Sequence, residues 1–322
     1  MERNNIVVLL DSHEEIAEEG IAHLKDRGYN VLFTKDKQTI MNNAIYHSSE
    51  ALFVRGAKVD RTLIECMPNL RVIARGGVGT DNIDIKVATD HGIYVCNVPD
   101  ANFTSVAEHV VAMILSLSHQ IINGDRALRS GDFTARHKYV GLEVKGKTIG
   151  VIGFGKIGQL VAEKCIHGLN MKVLVYDPYI KEVNQRKVEL VDNLDLIYEN
   201  ADFITLHLPY NPSVHHIINE DVLKKMKKTS YLINCARGGL IDEVALAEAI
   251  KNKEIAGVGI DVFESEPPEK NHVLWNLENT IVTPHMGAST QDALVRMAVG
   301  AAKEIVRVLE GEKPKNPQNQ LG

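Results

Sequence analysis

A short apolar run, Ile149–Ile152, passes directly into Gly153-x-Gly155-x-x-Gly158, and no other segment restricts the fold of this chain as strongly. A helical pattern runs from Lys156 to Gly168, and a second strand pattern, Met171–Tyr176, ends at Asp177, 19 residues beyond Gly158. Each part has a physical task. Gly153 permits a tight strand-to-helix turn, Gly155 lets a pyrophosphate approach the backbone, and Gly158 lets the helix lie close on the sheet. Free N–H groups at the helix start, around Phe154, Lys156 and Ile157, would face the phosphates. Asp177 would accept hydrogen bonds from the adenosine ribose hydroxyls and repel a 2′-phosphate. Pro178 rather than an arginine follows it, so the pattern favours NAD over NADP.

The 322 residues allow about two domains. Upstream of the glycine motif, strand patterns at Ile6–Leu10, Asn30–Phe33, Ala51–Val54, Arg71–Ala74 and Ile93–Cys96 alternate with helical ones at Glu14–Arg27, Lys37–Tyr46, Arg61–Cys66 and Ile85–His91. Such alternation predicts a parallel sheet covered by helices on both faces. A turn-rich stretch, 97–102, marks a boundary. From Thr104, Val106, Val110, Ile114, Leu117 and Ile121 recur at helical spacing, and the pattern predicts one helix to about Arg129, either a core helix, a domain-joining element or a subunit contact. Further strands are expected at Phe203–Leu206, Tyr231–Asn234, Ala256–Ile260 and Thr280–Val282, with helices at Asp192–Glu199, Glu243–Lys251 and Gln291–Leu309. The polar, Pro-containing segment 313–322 is expected to be disordered.

Composition narrows the function. A net charge of −6 and a pI near 6.1 argue against a nucleic-acid partner. No run approaches the roughly 20 apolar residues of a membrane span, and the N-terminus has no apolar signal core, so no membrane partner is expected. Cys66, Cys96, Cys165 and Cys235 are widely spaced, which reads as reduced core thiols in a cytoplasmic protein without a metal site.

Three more segments follow expected strand ends: Asn234-Cys235-Ala236-Arg237-Gly238-Gly239, Asp261-Val262-Phe263-Glu264-Ser265-Glu266-Pro267 and Pro284-His285-Met286-Gly287. In open α/β sheets ligands bind at the carboxyl ends of the strands, so an arginine, a glutamate and a histidine are delivered to one rim. His109, within a helical pattern, is assigned to packing or surface. With Ala74-Arg75-Gly76-Gly77-Val78-Gly79-Thr80-Asp81-Asn82-Ile83-Asp84 and the glycine motif, these segments resemble the D-2-hydroxyacid dehydrogenase family, especially its 3-phosphoglycerate dehydrogenase branch, over nearly the whole chain.

The resemblance implies two doubly wound parallel-sheet domains, a Rossmann dinucleotide-binding domain (102–283) inserted into a flavodoxin-like substrate domain (1–101, returning at 284–312), with a cleft that closes around hydride transfer. It implies that His285 exchanges the substrate proton, that Glu266 rather than Glu264 pairs with it, and that Arg237 holds the substrate carboxylate. Backbone N–H groups at Val78 and Gly79 would bind the same carboxylate. Asp261, Cys235, Ala236 and Gly287 would line the nicotinamide, and His207, Leu208 and Pro209 the adenosine side. A phosphate-bearing substrate needs further cations, for which Arg55 with Gly56, Lys58 and Arg75 are candidates, with Arg136 and Lys138 from a partner subunit. The expected reaction is NAD-dependent oxidation of 3-phosphoglycerate, with hydroxypyruvate or glyoxylate reduction and an NAD-sensing corepressor as alternatives. The helix from Thr104 would be the contact of a homodimer. The chain ends soon after the last helix, so no serine-binding regulatory domain is expected.

Overall fold

The computed structural model describes residues 5–9, 17–183 and 187–321. Two units emerge, Met1–Asn102 with Ala288–Gly322, and Phe103–Gly287. The first holds strands β1 (Asn5–Leu9), β2 (Asn30–Thr34), β3 (Ala51–Val54), β4 (Val72–Arg75) and β5 (Tyr94–Cys96). Its helices are α1 (Glu18–Asp26), α2 (Lys37–Asn42), α3 (Arg61–Glu65), α4 (Ile85–Asp90) and, returning late in the chain, α11 (Gln291–Leu309). The strands pair in parallel in the order β2-β1-β3-β4-β5, the flavodoxin-like arrangement. Central strand β3 is buried along its whole length, which is why it reads as an unbroken apolar run. One face packs on α1 and α11 through Ile21, Leu24, Ala298, Ala301 and Ile305, and the other on α2, α3 and α4 through Ile40, Leu63 and Val87.

The second unit holds helices α5 (Phe103–Ser118), α6 (Ile121–Arg129), α7 (Lys156–His167), α8 (Leu194–Asn200), α9 (Glu220–Lys225) and α10 (Glu243–Lys251). Its strands are β6 (Thr148–Ile152), β7 (Lys172–Tyr176), β8 (Val188–Leu190), β9 (Phe203–Leu206), β10 (Tyr231–Asn234), β11 (Gly257–Ile260) and β12 (Thr280–Val282). All neighbours in the order β12-β11-β10-β9-β6-β7-β8 are parallel. The strand order reverses between β6 and β9, the switch point at which such sheets open a crevice beyond their carboxyl ends.

Three expectations are corrected. The helix predicted from Thr104 to Arg129 is two helices bent by 62°. At the break Gln120 adopts a left-handed conformation (φ 57°), Ser118 Oγ turns back to the Ile114 carbonyl, and the Ser118 carbonyl accepts the Leu142 N–H at 2.7 Å instead of continuing the helix. Helix α5 buries Val110, Met113, Ile114 and Leu117 in the core of its own unit, whereas α6 has no buried residue. No single helix is long and apolar enough to cross a membrane. The helix predicted to Tyr46 stops at Asn42, because Asn43 turns extended and its side chain takes the Ile45 N–H at 3.2 Å. The segment expected to be disordered is ordered to residue 321: Gln318 N–H donates to the Val95 carbonyl at 2.7 Å, Asn319 Oδ1 accepts the Val95 N–H at 2.9 Å, and buried Glu304 accepts the Lys315 N–H at 2.7 Å. It lies along the outer side of β5, where otherwise unpaired backbone groups are satisfied. Leu10 and Glu14–Ile16, expected in β1 and α1, lie outside the described residues.

Candidate functional site

The glycine turn follows β6 at the switch point. Gly153 has φ 92°, and a Cβ there would stand 2.7 Å from the His207 carbonyl oxygen, so the turn demands glycine. A Cβ on Gly158 would overlap the Gly153 carbonyl, so this glycine sets how closely α7 approaches β6. Among the described residues, seven α-helices open on an Asp, Asn or Thr whose side chain accepts a first-turn N–H. Helix α7 opens on Gly155, which offers no such cap, and a Cβ there would meet nothing within 4 Å. Its positive end and first-turn donors therefore face open space sized by the missing side chain, as a dinucleotide phosphate requires. Asp177, just beyond β7, accepts the Phe154 N–H at 2.8 Å and the Tyr179 N–H at 2.9 Å, which fixes its carboxylate beside the turn. These residues fit a dinucleotide.

Several neighbours serve the turn itself. The Phe154 ring is buried in the core, and its carbonyl accepts Gln159 Nε2 at 2.9 Å. His207 bonds Thr205 Oγ1 at 3.0 Å, its N–H bonds the Ile152 carbonyl at 2.8 Å, and burial pushes its imidazole down to about 3, so it is neutral at ordinary pH. Leu208 packs on the core and Pro209 is exposed. The Lys156 ammonium lies 5.7 Å from the centre of the Phe103 ring.

Beyond β10, buried Asn234 shapes the next turn from both ends. Its Oδ1 accepts the Ala236 N–H at 3.0 Å and its Nδ2 donates to the Arg237 carbonyl at 2.8 Å. Arg237, half-buried, donates from Nη1 to the Ala236 carbonyl at 2.7 Å. The Cys235 thiol, whose ionisation burial pushes well upward, faces Met113 Sδ at 3.7 Å and is a packing group.

Beyond β11 and β12 the remaining two residues meet. His285 Nδ1 and Glu266 Oε2 are 2.7 Å apart, and the other Glu266 oxygen accepts the Phe263 N–H at 3.1 Å. Burial alone would raise the Glu266 carboxyl; the His285 bond and charge, the Phe263 N–H and the Arg237 charge hold it below its ordinary value. His285 has φ 49°, an unfavourable backbone for a residue with a side chain. What holds it is Asp261, 1% exposed. The Asp261 carbonyl accepts the His285 N–H at 2.8 Å, Oδ1 accepts the Met286 N–H at 2.8 Å and the Thr283 hydroxyl at 2.5 Å, and Oδ2 accepts the Gly287 N–H at 2.8 Å. The Asp261 carboxylate, expected to line the nicotinamide, also braces the turn that presents His285. His109, expected in packing or surface, belongs to this network, with Nε2 3.1 Å from Thr283 Oγ1 and 3.5 Å from Asp261 Oδ1. Glu264 turns elsewhere, to His216.

In the five-stranded unit, Arg55 follows β3 and donates to Ser289 Oγ at 3.0 Å, and Arg75 closes β4 and donates to the Gly76 carbonyl at 3.3 Å. Gly56 and Lys58 are exposed in the loop after Arg55. The Val78 carbonyl accepts Asn97 Nδ2 at 2.6 Å, and half-buried Gly79 follows it. In the other unit Lys138 is committed to Glu278 at 3.0 Å, and the Arg136 guanidinium lies 4.6 Å from the Phe133 ring centre. Asn234, Thr283 and His109 were missed as site residues. Only Asn234 left a signal, an amide at a strand end before a Gly-rich turn.

Comparison with known proteins gives concordant findings. Residues 111–287 match the family described as D-isomer specific 2-hydroxyacid dehydrogenase, NAD binding domain. The chain is 45% identical over 284 residues to a D-3-phosphoglycerate dehydrogenase of Methanocaldococcus jannaschii, covering 85% of this chain and 54% of that one. It is 40% identical to a glyoxylate reductase of Thermofilum pendens, covering 80% of this chain and 77% of that protein. The chain therefore spans about half the length of the phosphoglycerate dehydrogenase it matches. Among solved structures, an NAD-dependent formate dehydrogenase from Staphylococcus aureus in complex with NAD superposes with a TM-score of 0.86 at 29% identity, covering 99% of this chain and all of that one.

Proposed function

The chain belongs to the D-isomer specific 2-hydroxyacid dehydrogenases and carries their NAD binding domain, and from that premise we propose that it oxidises 3-phosphoglycerate to 3-phosphohydroxypyruvate. The observation that carries the reading is the 2.7 Å pair of His285 and Glu266 at strand tips shared with Arg237. NAD, held by the α7 N-terminus, Gly155 and Asp177, supplies the hydride acceptor when bound. Glu266 engages His285 Nδ1, which leaves Nε2 to take the hydroxyl proton and return it in the reverse direction. The carboxylate beside the ring fixes its orientation. Arg237 holds the substrate carboxylate through two N–H groups and polarises the oxygen at the reacting carbon. Asp261 acts through the backbone, holding His285 in its left-handed turn.

In the five-stranded unit we assign the substrate-binding role, with Arg55, Arg75 and Ser289 for the phosphate and the backbone around Val78 and Gly79 for the carboxylate. The curated relatives named D-3-phosphoglycerate dehydrogenase support this substrate. The glyoxylate reductase, matched over more of its own length, favours a second reading, reduction of glyoxylate or hydroxypyruvate. Four free thiols fit a reducing, cytoplasmic setting. A homodimer is supported by exposed Ile121 and Leu128 on α6, with Phe133 and Val140 in the segment after it.

The test mixes the protein with NAD and 3-phosphoglycerate, traps the keto acid, and follows reduced cofactor by absorbance. Glyoxylate and hydroxypyruvate with NADH form the parallel arm. Turnover confined to that arm replaces the first substrate by the second, and silence in both and with a panel of other small 2-hydroxy and 2-keto acids favours an NAD-sensing role.

A further inference from the structure

On the seven-stranded unit, two histidines and a carboxylate that take no part in the Glu266–His285 pair form a second cluster. One ligand atom each from His215, His216 and Glu264 lie within 4.8 Å of one another. His216 Nε2 is 3.0 Å from Glu264 Oε1, and the two imidazoles stack with centres 3.8 Å apart. We propose that this cluster is a binding site for a divalent cation of the zinc type.

Two imidazoles and one carboxylate form the donor set that borderline first-row cations prefer, and three protein ligands leave room for water in a tetrahedral shell. The surroundings are those of a metal site as well. A ligating imidazole is ordinarily held by a hydrogen bond at its other ring nitrogen. The Tyr210 hydroxyl lies 3.2 Å from His215 Nδ1. The site is anchored at both ends: the His216 N–H donates to the Gly239 carbonyl at 2.9 Å, and the Glu264 N–H donates to Glu243 Oε1 at 3.0 Å. The remaining faces of His215 and Glu264 are exposed, so a cation reaches them from solvent.

The probe is Co²⁺ added to the metal-free protein, read by the visible bands of a tetrahedral thiol-free site, with Zn²⁺ displacing it in a calorimetric titration. The expected result is one ion per chain, with His215→Ala and Glu264→Gln each weakening binding by about tenfold or more. His215→Ala retains the metal-free turnover, and His285→Asn leaves the metal affinity unchanged. Absence of binding at about 100 μM, or binding that His285→Asn removes and His215→Ala does not, overturns the proposal. Because the readout is binding rather than catalysis, its failure is separate from failure of the dehydrogenase reading.

Discussion

His285 is secured twice, its ring by Glu266 and its backbone by Asp261, and the two contacts predict different losses. His285→Asn removes the proton-exchanging group and is expected to lower turnover by about 10²–10⁴-fold, while NAD affinity, measured by fluorescence titration, stays close to wild type. Asp261→Ala leaves the Thr283 hydroxyl and the Met286 and Gly287 N–H groups without their acceptor. It is expected to destabilise the unit by about 1–3 kcal/mol in urea unfolding as well as to slow turnover; unchanged stability would show that the turn does not depend on the carboxylate. Burial alone would raise the Asp261 carboxyl, but His109, Thr283 and the two N–H groups hold it below its ordinary value. Its folded-state value being depressed, its stabilising contribution is present above the ordinary carboxylate range and lost as pH falls through the lowered value. Arg237, Glu266 and His285 were legible because each sits in a short motif just past a strand. His109 was not, since its partner Thr283 is 174 positions away and nothing local to the helix announces it.

Strands were the most legible elements. β9 and β10 lie where their patterns place them, because a strand buried on both faces needs largely apolar side chains along its length. The α5–α6 break was hidden, because apolar spacing continues through a bend at which an N–H donor from a distant loop, Leu142, takes the Ser118 carbonyl. Short helices rest on their caps. Asp60 opens α3, accepting the Leu63 N–H at 3.2 Å and Lys37 Nζ at 2.6 Å. The Lys37 bond, with Thr62 and Leu63, holds its carboxyl down at about 2. The pair therefore stabilises fully above about pH 4, and its contribution is lost as pH falls through about 2. Asp60→Ala is expected to cost about 1 kcal/mol at pH 7; a urea series in which the variant and wild type still differ equally at the acid end would refute the linkage.

At the scale of the whole molecule, α6 and the segment after it carry four exposed apolar side chains, Ile121, Leu128, Phe133 (66% exposed) and Val140 (75% exposed). A second copy covering them predicts a dimer by light scattering, and Phe133→Asp is expected to give a monomer with its circular dichroism intact. A wild-type monomer at micromolar concentration would refute the proposed dimer. The division into two units has a consequence for biogenesis. The seven-stranded unit is one continuous stretch of chain, whereas the five-stranded unit borrows Ala298, Ala301 and Ile305 from a helix that follows it. On the ribosome, the later-encoded unit can close first, and the half made earliest must wait, one flank of its sheet uncovered, until that helix emerges.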